Sequence, residues 1–326
     1  MKLLLCNRSY PQAELVLKKL LPEIEIVSCA AEELKNYLTG VDILLPSIAR
    51  IDAEVIAAGK FGLIQQLGVG VDSVDVESAT KAGVWVANVP GAGSGNAESV
   101  AELAILQMLT LARRIDAARK NLSEGVFFQP TGMAIWNKTV CIVGLGDIGR
   151  LLAMRLRPFG VRLLAVREHP EHGAPAETGV EEVFGTKDLH NAVSEADFVV
   201  LAIPETKSTH YLINETALAA MKKGSFLINV SRGGIVDTKA LLAALESGHL
   251  AGAGLDVYEQ EPYDHHHAIF KQNVVATPHI GGNTDESLKG VVKAIAENIK
   301  LYADGKEPKH LLNKPEKLRK DLQNAL

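Results

Sequence analysis

Thr139-Val140-Cys141-Ile142-Val143 runs without a break into Gly144-Leu145-Gly146-Asp147-Ile148-Gly149 and then into the helical pattern of Arg150–Arg157. A lone GxGxxG is a weak signal. One that ends a β-rich run, opens a helix and leads to a second β-rich run, Arg162–Val166, predicts a strand–turn–helix–strand unit shaped for a pyrophosphate. Each glycine has its own reason: Gly144 permits the tight turn, Gly146 lets the backbone approach the anion, and Gly149 lets the helix pack close to its strand. The N–H groups at the helix start, around Asp147 and Ile148, then face negative charge. The plain alternative is a tight turn that binds nothing.

The second strand selects the dinucleotide. In NAD-specific units it ends in an acidic residue that bonds the ribose 2′-hydroxyl. Here it ends in Arg167, with Glu168 next. A guanidinium holds a 2′-phosphate through paired charged hydrogen bonds, so NADP(H) is expected. The alternative is NAD(H), with Glu168 on the ribose and Arg167 turned to solvent.

Working outward, short β-rich runs alternate with amphipathic stretches, the pattern of a parallel α/β sheet. Before the glycine turn, strands are expected at Lys2–Cys6, Ile24–Val27, Ile43–Leu45, Leu63–Leu67 and Val84–Ala87. Ser28, Asp52 and Asp75 are placed to cap helices over Ala31–Leu38, Ala53–Ala58 and Val76–Ala82, with Gly83 just past the last. A broadly apolar helix over Ser99–Leu122, exposing Leu103, Leu106, Leu109 and Leu111 on more than one face, predicts burial between domains or subunits. An irregular arm, Ser123–Asn137, follows it. The second series has strands at Val140–Val143, Arg162–Val166, Phe198–Ala202, Ser225–Val230, Gly252–Val257 and Asn273–Thr277, then a helix over Thr284–Ala303 and a lysine-rich tail. Five strands, then six, predict two doubly wound α/β lobes, which suits 326 residues at roughly 150 per domain.

Composition agrees. The chain is 47% hydrophobic and 22% charged, which excludes a disordered or collagen-like protein. Its formal charge of −5, with no basic stretch, argues against holding nucleic acid by its phosphates. Cys6, Cys29 and Cys141 are unclustered, which argues for a reducing compartment and against a disulfide framework. The run Leu3–Cys6 is too short for a secretory h-region and no run approaches a membrane span, so a cytoplasmic protein is expected.

Three charged residues follow predicted strands of the second lobe: Arg232 in Ser231-Arg232-Gly233-Gly234, Glu261 before Pro262, and His279 in Thr277-Pro278-His279-Ile280-Gly281-Gly282. Ligands of open α/β sheets bind at the carboxyl ends of strands. An Arg–Glu–His set there suits reduction of a 2-oxo acid, with Arg forking onto the carboxylate, His moving the proton and Glu holding the imidazole. Singly, each has a bland explanation as a surface ion pair, a solvated turn residue or a satisfied imidazole.

Together with Gly68-Val69-Gly70-Val71-Asp72, Asn88-Val89-Pro90-Gly91 and Ser99-Val100-Ala101-Glu102, in this order, the chain resembles the D-isomer-specific 2-hydroxyacid dehydrogenase family over nearly its whole length. The resemblance implies a Rossmann-type cofactor domain (residues 100–297), a flavodoxin-like substrate domain (residues 1–99 with 298–326), and an active site in the cleft between them. It implies that Arg232 binds and polarises a small 2-oxo acid, that His279 is the acid/base and that Glu261 is its partner. It further assigns the Val69 and Gly70 N–H groups to the substrate carboxylate and Asp256 to the nicotinamide. Pro204, Thr209, Val230, His279 and Gly281 fall on the cofactor's walls, and a homodimer through the long helix and arm is expected. A glyoxylate/hydroxypyruvate-type substrate is favoured. The alternatives are larger sugar-derived 2-oxo acids and, outside the enzyme class, a dinucleotide-sensing scaffold like the corepressors of the same family. Two departures stand out: Gly91–Asn96 is longer than the family's loop there, and Arg167 replaces an acidic residue. His265-His266-His267 cannot all converge on one ion from an extended loop, and no metal is expected.

Overall fold

The computed structural model describes residues 1–8 and 11–319. It divides into two units, Met1–Asn96 with the chain from Thr284 onward, and Ala97–Asn283. The chain thus rejoins the first unit at Thr284 rather than near 298. The reason is that the helix Asp285–Ala303 is one amphipathic element, whose inner face of Val291, Val292, Ile295, Ala296, Ile299 and Tyr302 is buried in a core of the first unit. The part of the expected tail at 320–326 lies outside the described residues.

The first unit runs β1 (Lys2–Leu5), α1 (Pro11–Leu20), β2 (Glu25–Ser28), β3 (Ile43–Leu45), α2 (Ala53–Ala58), β4 (Leu63–Gln65), α3 (Val76–Lys81) and β5 (Trp85–Ala87). All neighbours are parallel, in the order β2-β1-β3-β4-β5, the flavodoxin-like order. Leu3-Leu4-Leu5 and Ile43-Leu44-Leu45 are apolar at every position because both faces of the sheet are covered. Asp52 accepts the Val55 N–H at 3.0 Å and Asp75 the Ser78 N–H at 2.9 Å, the two caps expected. Ser28 does not cap. It stays in β2, paired with Leu5, and Ala31–Tyr37 winds as 3₁₀ turns without a side-chain cap.

The second unit opens on α4 (Asn96–Arg113) and α5 (Ile115–Ser123). The single helix expected over Ser99–Leu122 is therefore two, broken at Arg114 with φ 50°. The arm causes the break: Met133 N–H takes the Ala112 carbonyl at 2.6 Å, and Gly132 sits against the backbone of Ala112 and Arg113. There follow β6 (Thr139–Val143), α6 (Asp147–Leu156), β7 (Arg162–Arg167), β8 (Glu182–Gly185), α7 (Leu189–Ser194), β9 (Phe198–Leu201), α8 (Glu215–Ala220), β10 (Phe226–Asn229), α9 (Thr238–Glu246), β11 (Gly252–Leu255) and β12 (Val274–Ala276). The sheet has seven strands, not six, ordered β12-β11-β10-β9-β6-β7-β8. The extra strand, β8, is a short edge pairing only with β7 and has no buried residue, so it carries no apolar run to announce it. Strand order reverses between β6 and β9, which puts the Gly144–Gly149 turn at the switch point where dinucleotide folds bind.

The chain returns to the first unit as α10 (Asp285–Ala303), capped by Thr284. The lysine-rich tail then closes the outer edge of β5. Leu311 bridges Ala87, and Asn313 accepts the Val86 N–H at 2.8 Å while donating to Val84 O at 2.8 Å.

Candidate active site

The three glycines of the turn meet three different constraints. Gly144 has φ 106°, outside the range of L side chains, and a Cβ there would collide with the Ala202 carbonyl. Gly149 is buried in the first turn of α6, where a Cβ would strike the Gly144 carbonyl. Gly146 has ordinary backbone angles and nothing within 4 Å of a would-be Cβ. It is the N-cap of α6 and supplies no side-chain cap to the first N–H groups of this helix. An open cradle at a helix N-terminus fits a pyrophosphate.

Arg167 ends β7 half-buried, and its Nη1 donates to Gly173 O at 2.8 Å. The guanidinium thus braces the loop beyond the strand rather than trailing into solvent, using one of its five N–H groups. Glu168 is exposed. At the end of β9, Thr209 Oγ1 donates to Pro204 O at 2.8 Å and accepts the Thr206 N–H at 2.7 Å, closing the turn between them. Val230 follows β10, buried, at the start of the loop that carries Arg232.

The charged residues come together at the carboxyl ends of β10, β11 and β12. Asn229, buried at the end of β10, accepts the Ser231 N–H at 3.1 Å and donates to Arg232 O at 2.8 Å, fixing that loop. Arg232 Nη1 donates to Ser231 O at 2.7 Å, so the guanidinium is held against its own loop. Glu261 Oε1 accepts the Tyr258 N–H at 3.0 Å, and its Oε2 lies 2.7 Å from His279 Nδ1. Burial alone would raise the Glu261 carboxyl. The His279 hydrogen bond and charge, the Tyr258 N–H and the Arg232 charge outweigh it and hold the group below the ordinary carboxylate range. An ionised carboxylate only accepts, so Nδ1 carries the hydrogen and Nε2 is left as the proton-exchanging atom. The side chains of His279 and Glu261 remain 46% and 35% exposed, so the pair stays open to a reactant.

Asp256, 1% exposed, organises the turn that carries His279. Its carbonyl accepts the His279 N–H at 2.8 Å, Oδ1 accepts Thr277 Oγ1 at 2.6 Å and Ile280 N at 2.9 Å, and Oδ2 accepts Gly281 N at 2.8 Å. The turn holds His279 at φ 53°, a left-handed conformation that such tethers sustain. Asp256, expected beside the nicotinamide, and Gly281, expected on the cofactor's walls, here bond each other. Sequence reasoning did not single out Asn229, Thr277 or Gln107. Gln107, fully buried on α4, donates to Thr277 Oγ1 at 3.2 Å. A polar side chain between Leu106 and Met108 in an apolar helix was its available signal.

Val69 and Gly70 lie in the first unit, just past β4. The Val69 carbonyl accepts Asn88 Nδ2 at 2.8 Å, and neither N–H has a backbone acceptor among the described residues. His267 Nδ1 accepts the Ile269 N–H at 3.2 Å, while the rings of His265 and His266 lie 4.0 Å apart. Among the described residues no group of three His, Cys, Asp or Glu side chains could hold a metal ion, and no helix is long and apolar enough to cross a membrane.

Residues 105–281 match the family model described as the D-isomer specific 2-hydroxyacid dehydrogenase NAD binding domain. The glyoxylate reductase of Thermococcus kodakarensis is 40% identical over 294 residues, covering 87% of this chain and 86% of the relative. The TT0316 protein of Thermus thermophilus superposes with a TM-score of 0.81 at 32% identity, over 96% of this chain and all of that one. A D-lactate dehydrogenase from Aquifex aeolicus, solved with NAD and lactic acid, gives a TM-score of 0.83 at 26% identity over 97% of this chain and 100% of that one. The chain belongs to the D-isomer specific 2-hydroxyacid dehydrogenase family and is a 2-oxo acid reductase that works with a nicotinamide dinucleotide.

Proposed function

We propose that the protein reduces a small 2-oxo acid of the glyoxylate/hydroxypyruvate type to the D-2-hydroxy acid, with NADPH preferred over NADH. The observation that carries the chemistry is the 2.7 Å contact of His279 Nδ1 with an ionised Glu261, close enough to Arg232 to feel its charge. The reduced dinucleotide supplies the hydride. Nε2 of His279 delivers the proton to the oxygen that becomes the hydroxyl, and Glu261 stabilises the imidazolium before transfer. Arg232, braced on Ser231 O, directs its guanidinium to the carboxylate and carbonyl oxygens. The Val69 and Gly70 N–H groups are assigned to the same carboxylate on the family resemblance.

The Gly144–Gly149 turn holds the pyrophosphate, with Pro204, Thr209, Val230, Asp256 and Gly281 around the rest of the dinucleotide. Arg167 supports the NADPH preference because a cation stands at the strand end where NAD-specific units carry an acid. The substrate class rests on the similarity to the glyoxylate reductase. Apolar surface gathered on α4, α5 and the arm supports a homodimer: Leu106, Leu122, Phe127 and Trp136 are each more than half exposed, and Phe128 fully so. Three free, buried cysteines suit a reducing cytoplasm.

Loss of reduced-nicotinamide absorbance tests this with NADPH and NADH against glyoxylate, hydroxypyruvate, pyruvate and sugar-derived 2-oxo acids. Turnover is expected with the first two, kcat/KM higher with NADPH, and lost in His279→Asn with dinucleotide affinity retained. A clear NADH preference sinks the role of Arg167. Full turnover in His279→Asn removes it as acid/base. Dinucleotide binding without turnover on any acid favours the sensing scaffold.

A further inference from the structure

Tyr258 touches each of the three loops that carry Arg232, Glu261 and His279, with a different group for each. Its backbone N–H donates to Glu261 Oε1 at 3.0 Å. Its hydroxyl donates to Thr277 O at 2.9 Å, the carbonyl that also accepts the His279 N–H at 3.1 Å, and lies 3.4 Å from Leu255 O. Its own carbonyl packs against Gly233, the neighbour of Arg232, so closely that a Cβ on that glycine would collide with it. The ring is half-buried, with Tyr263 at 4.6 Å and Phe270 at 5.9 Å between centroids, so the hydroxyl is delivered from a fixed side. Burial, helped by the charges of Tyr263, Asp256 and Glu261, pushes the phenol up to about 12, and it stays a neutral donor across the working range.

The His279 turn has a specific need for such a donor. A non-glycine residue at φ 53° keeps its geometry only where several bonds over-determine it. Asp256 supplies bonds from the strand side. The Tyr258 hydroxyl supplies one from the loop that also carries Glu261, so acid/base and partner are tied to a single residue, one through its side chain and the other through its backbone.

We propose that Tyr258 is a positioning residue for proton transfer: through the Thr277 carbonyl its hydroxyl sets the turn that aims His279, while its N–H aims the Glu261 carboxylate at the same imidazole. This rests on His279 being the acid/base. The phenol exchanges no proton with the reactant and acts only through the two residues it orients.

Tyr258→Phe removes the hydroxyl and keeps ring and backbone. The loss of one well-aligned bond from the turn is expected to lower kcat about tenfold. KM for the 2-oxo acid and the NADPH Kd should stay within about twofold, the pattern for a contact that matters only at the transition state. The primary isotope effect on kcat with 4-deuterated NADPH should exceed that of the unmodified enzyme, because hydride and proton transfer become slower relative to product release. Tyr263→Phe, a hydroxyl in the same aromatic cluster with no bond to the turn, serves as the control and should match the unmodified enzyme. If Tyr258→Phe keeps wild-type kcat and isotope effect while His279→Asn is inactive, the positioning role is overturned and the acid/base reading stands. If Tyr258→Phe loses activity only in proportion to its loss of NADPH-binding protein, with the isotope effect unmoved, the role is merely structural and the proposal fails. Full turnover in His279→Asn overturns the reading beneath it.

Discussion

Replacing Gly146 and Gly149 separately by alanine should dissociate folding from dinucleotide binding, although the two lie three residues apart in one motif. At Gly146 the backbone is already in a region open to alanine, with φ −74°, and the added Cβ meets no atom within 4 Å. Restricting the unfolded chain favours alanine by about 0.4–1 kcal/mol, and the poorer N-cap costs a similar amount. The two offset to within about 1 kcal/mol, so the melting temperature should move by no more than roughly 4 °C. The methyl group nevertheless fills the space through which, in the proposed binding mode, a pyrophosphate approaches the start of α6. Losing one or two charge-assisted hydrogen bonds at about 1.5 kcal/mol each or more weakens binding by roughly 10- to 1000-fold. At Gly149 the signs reverse. Alanine gains about 1 kcal/mol of helix propensity, but its Cβ would lie inside the Gly144 carbonyl, which belongs to backbone and cannot swing aside. Opening that turn costs of order 1–3 kcal/mol or more, the scale of an overpacked core, so Gly149→Ala should melt earlier and bind weakly as well. Thermal melts in parallel with fluorescence titration by NADPH measure both quantities. A Gly146→Ala variant that binds NADPH like the parent, or that is destabilised as much as Gly149→Ala, would refute the reasoning.

Three further perturbations have defined outcomes. Glu261 has a folded-state carboxyl below the ordinary value of about 4.3, so its contribution to stability is complete above that pH and disappears as pH falls through the lower folded value. For a pair this exposed the contribution is below about 1 kcal/mol. Glu261→Gln should therefore melt slightly earlier at neutral pH and converge with the parent in acid, and a gap of constant size from neutral to acid contradicts the assignment. Asn313→Ala strips the partners of Val86 N–H and Val84 O at the closed edge of β5, costing about 2–4 kcal/mol. Faster limited proteolysis at residues 311–319 should accompany the lower melting temperature, and a melt within 1 °C of the parent counts against it. Phe128→Ser, at the fully exposed tip of the arm, should shift the sedimentation equilibrium toward monomer, while a monomeric parent removes the proposed homodimer.

Much of the fold was legible because parallel strands covered on both faces must be apolar where they are buried, and β3, β9, β1 from Leu3 and β6 from Val140 are. Where that signal was absent, so was the strand: β8 sits at an edge, and the residues around it, Glu181 and Glu182, answer to Arg162 at 3.6 and 3.7 Å rather than to a core. Helix ends were legible where an Asp stood free to cap, as Asp52 and Asp75 did. They were misjudged at Ser28, already committed to β2, and at Arg114, where the break is imposed by an arm twenty residues further on.

The site divides along the same line. Arg232, Glu261 and His279 could be picked out because charged residues just past strand ends have few structural reasons to be there. The residues that hold them leave no such mark. Asn229 and Thr277 are small polar residues at strand ends, common in any turn, and Asp256 was expected beside the nicotinamide, not as the anchor of the His279 turn. Their importance comes from bonds that exist only after β10, β11 and β12 are laid side by side. Tyr258 is the clearest instance. In sequence it is an aromatic residue after a strand, with every appearance of core packing. Only the register that sets Thr277 and Gly233 against it makes Tyr258 a link between His279 and Glu261, the proposed acid/base and its partner. A motif search can find the groups proposed to react, whereas the groups that hold them are defined by tertiary contact.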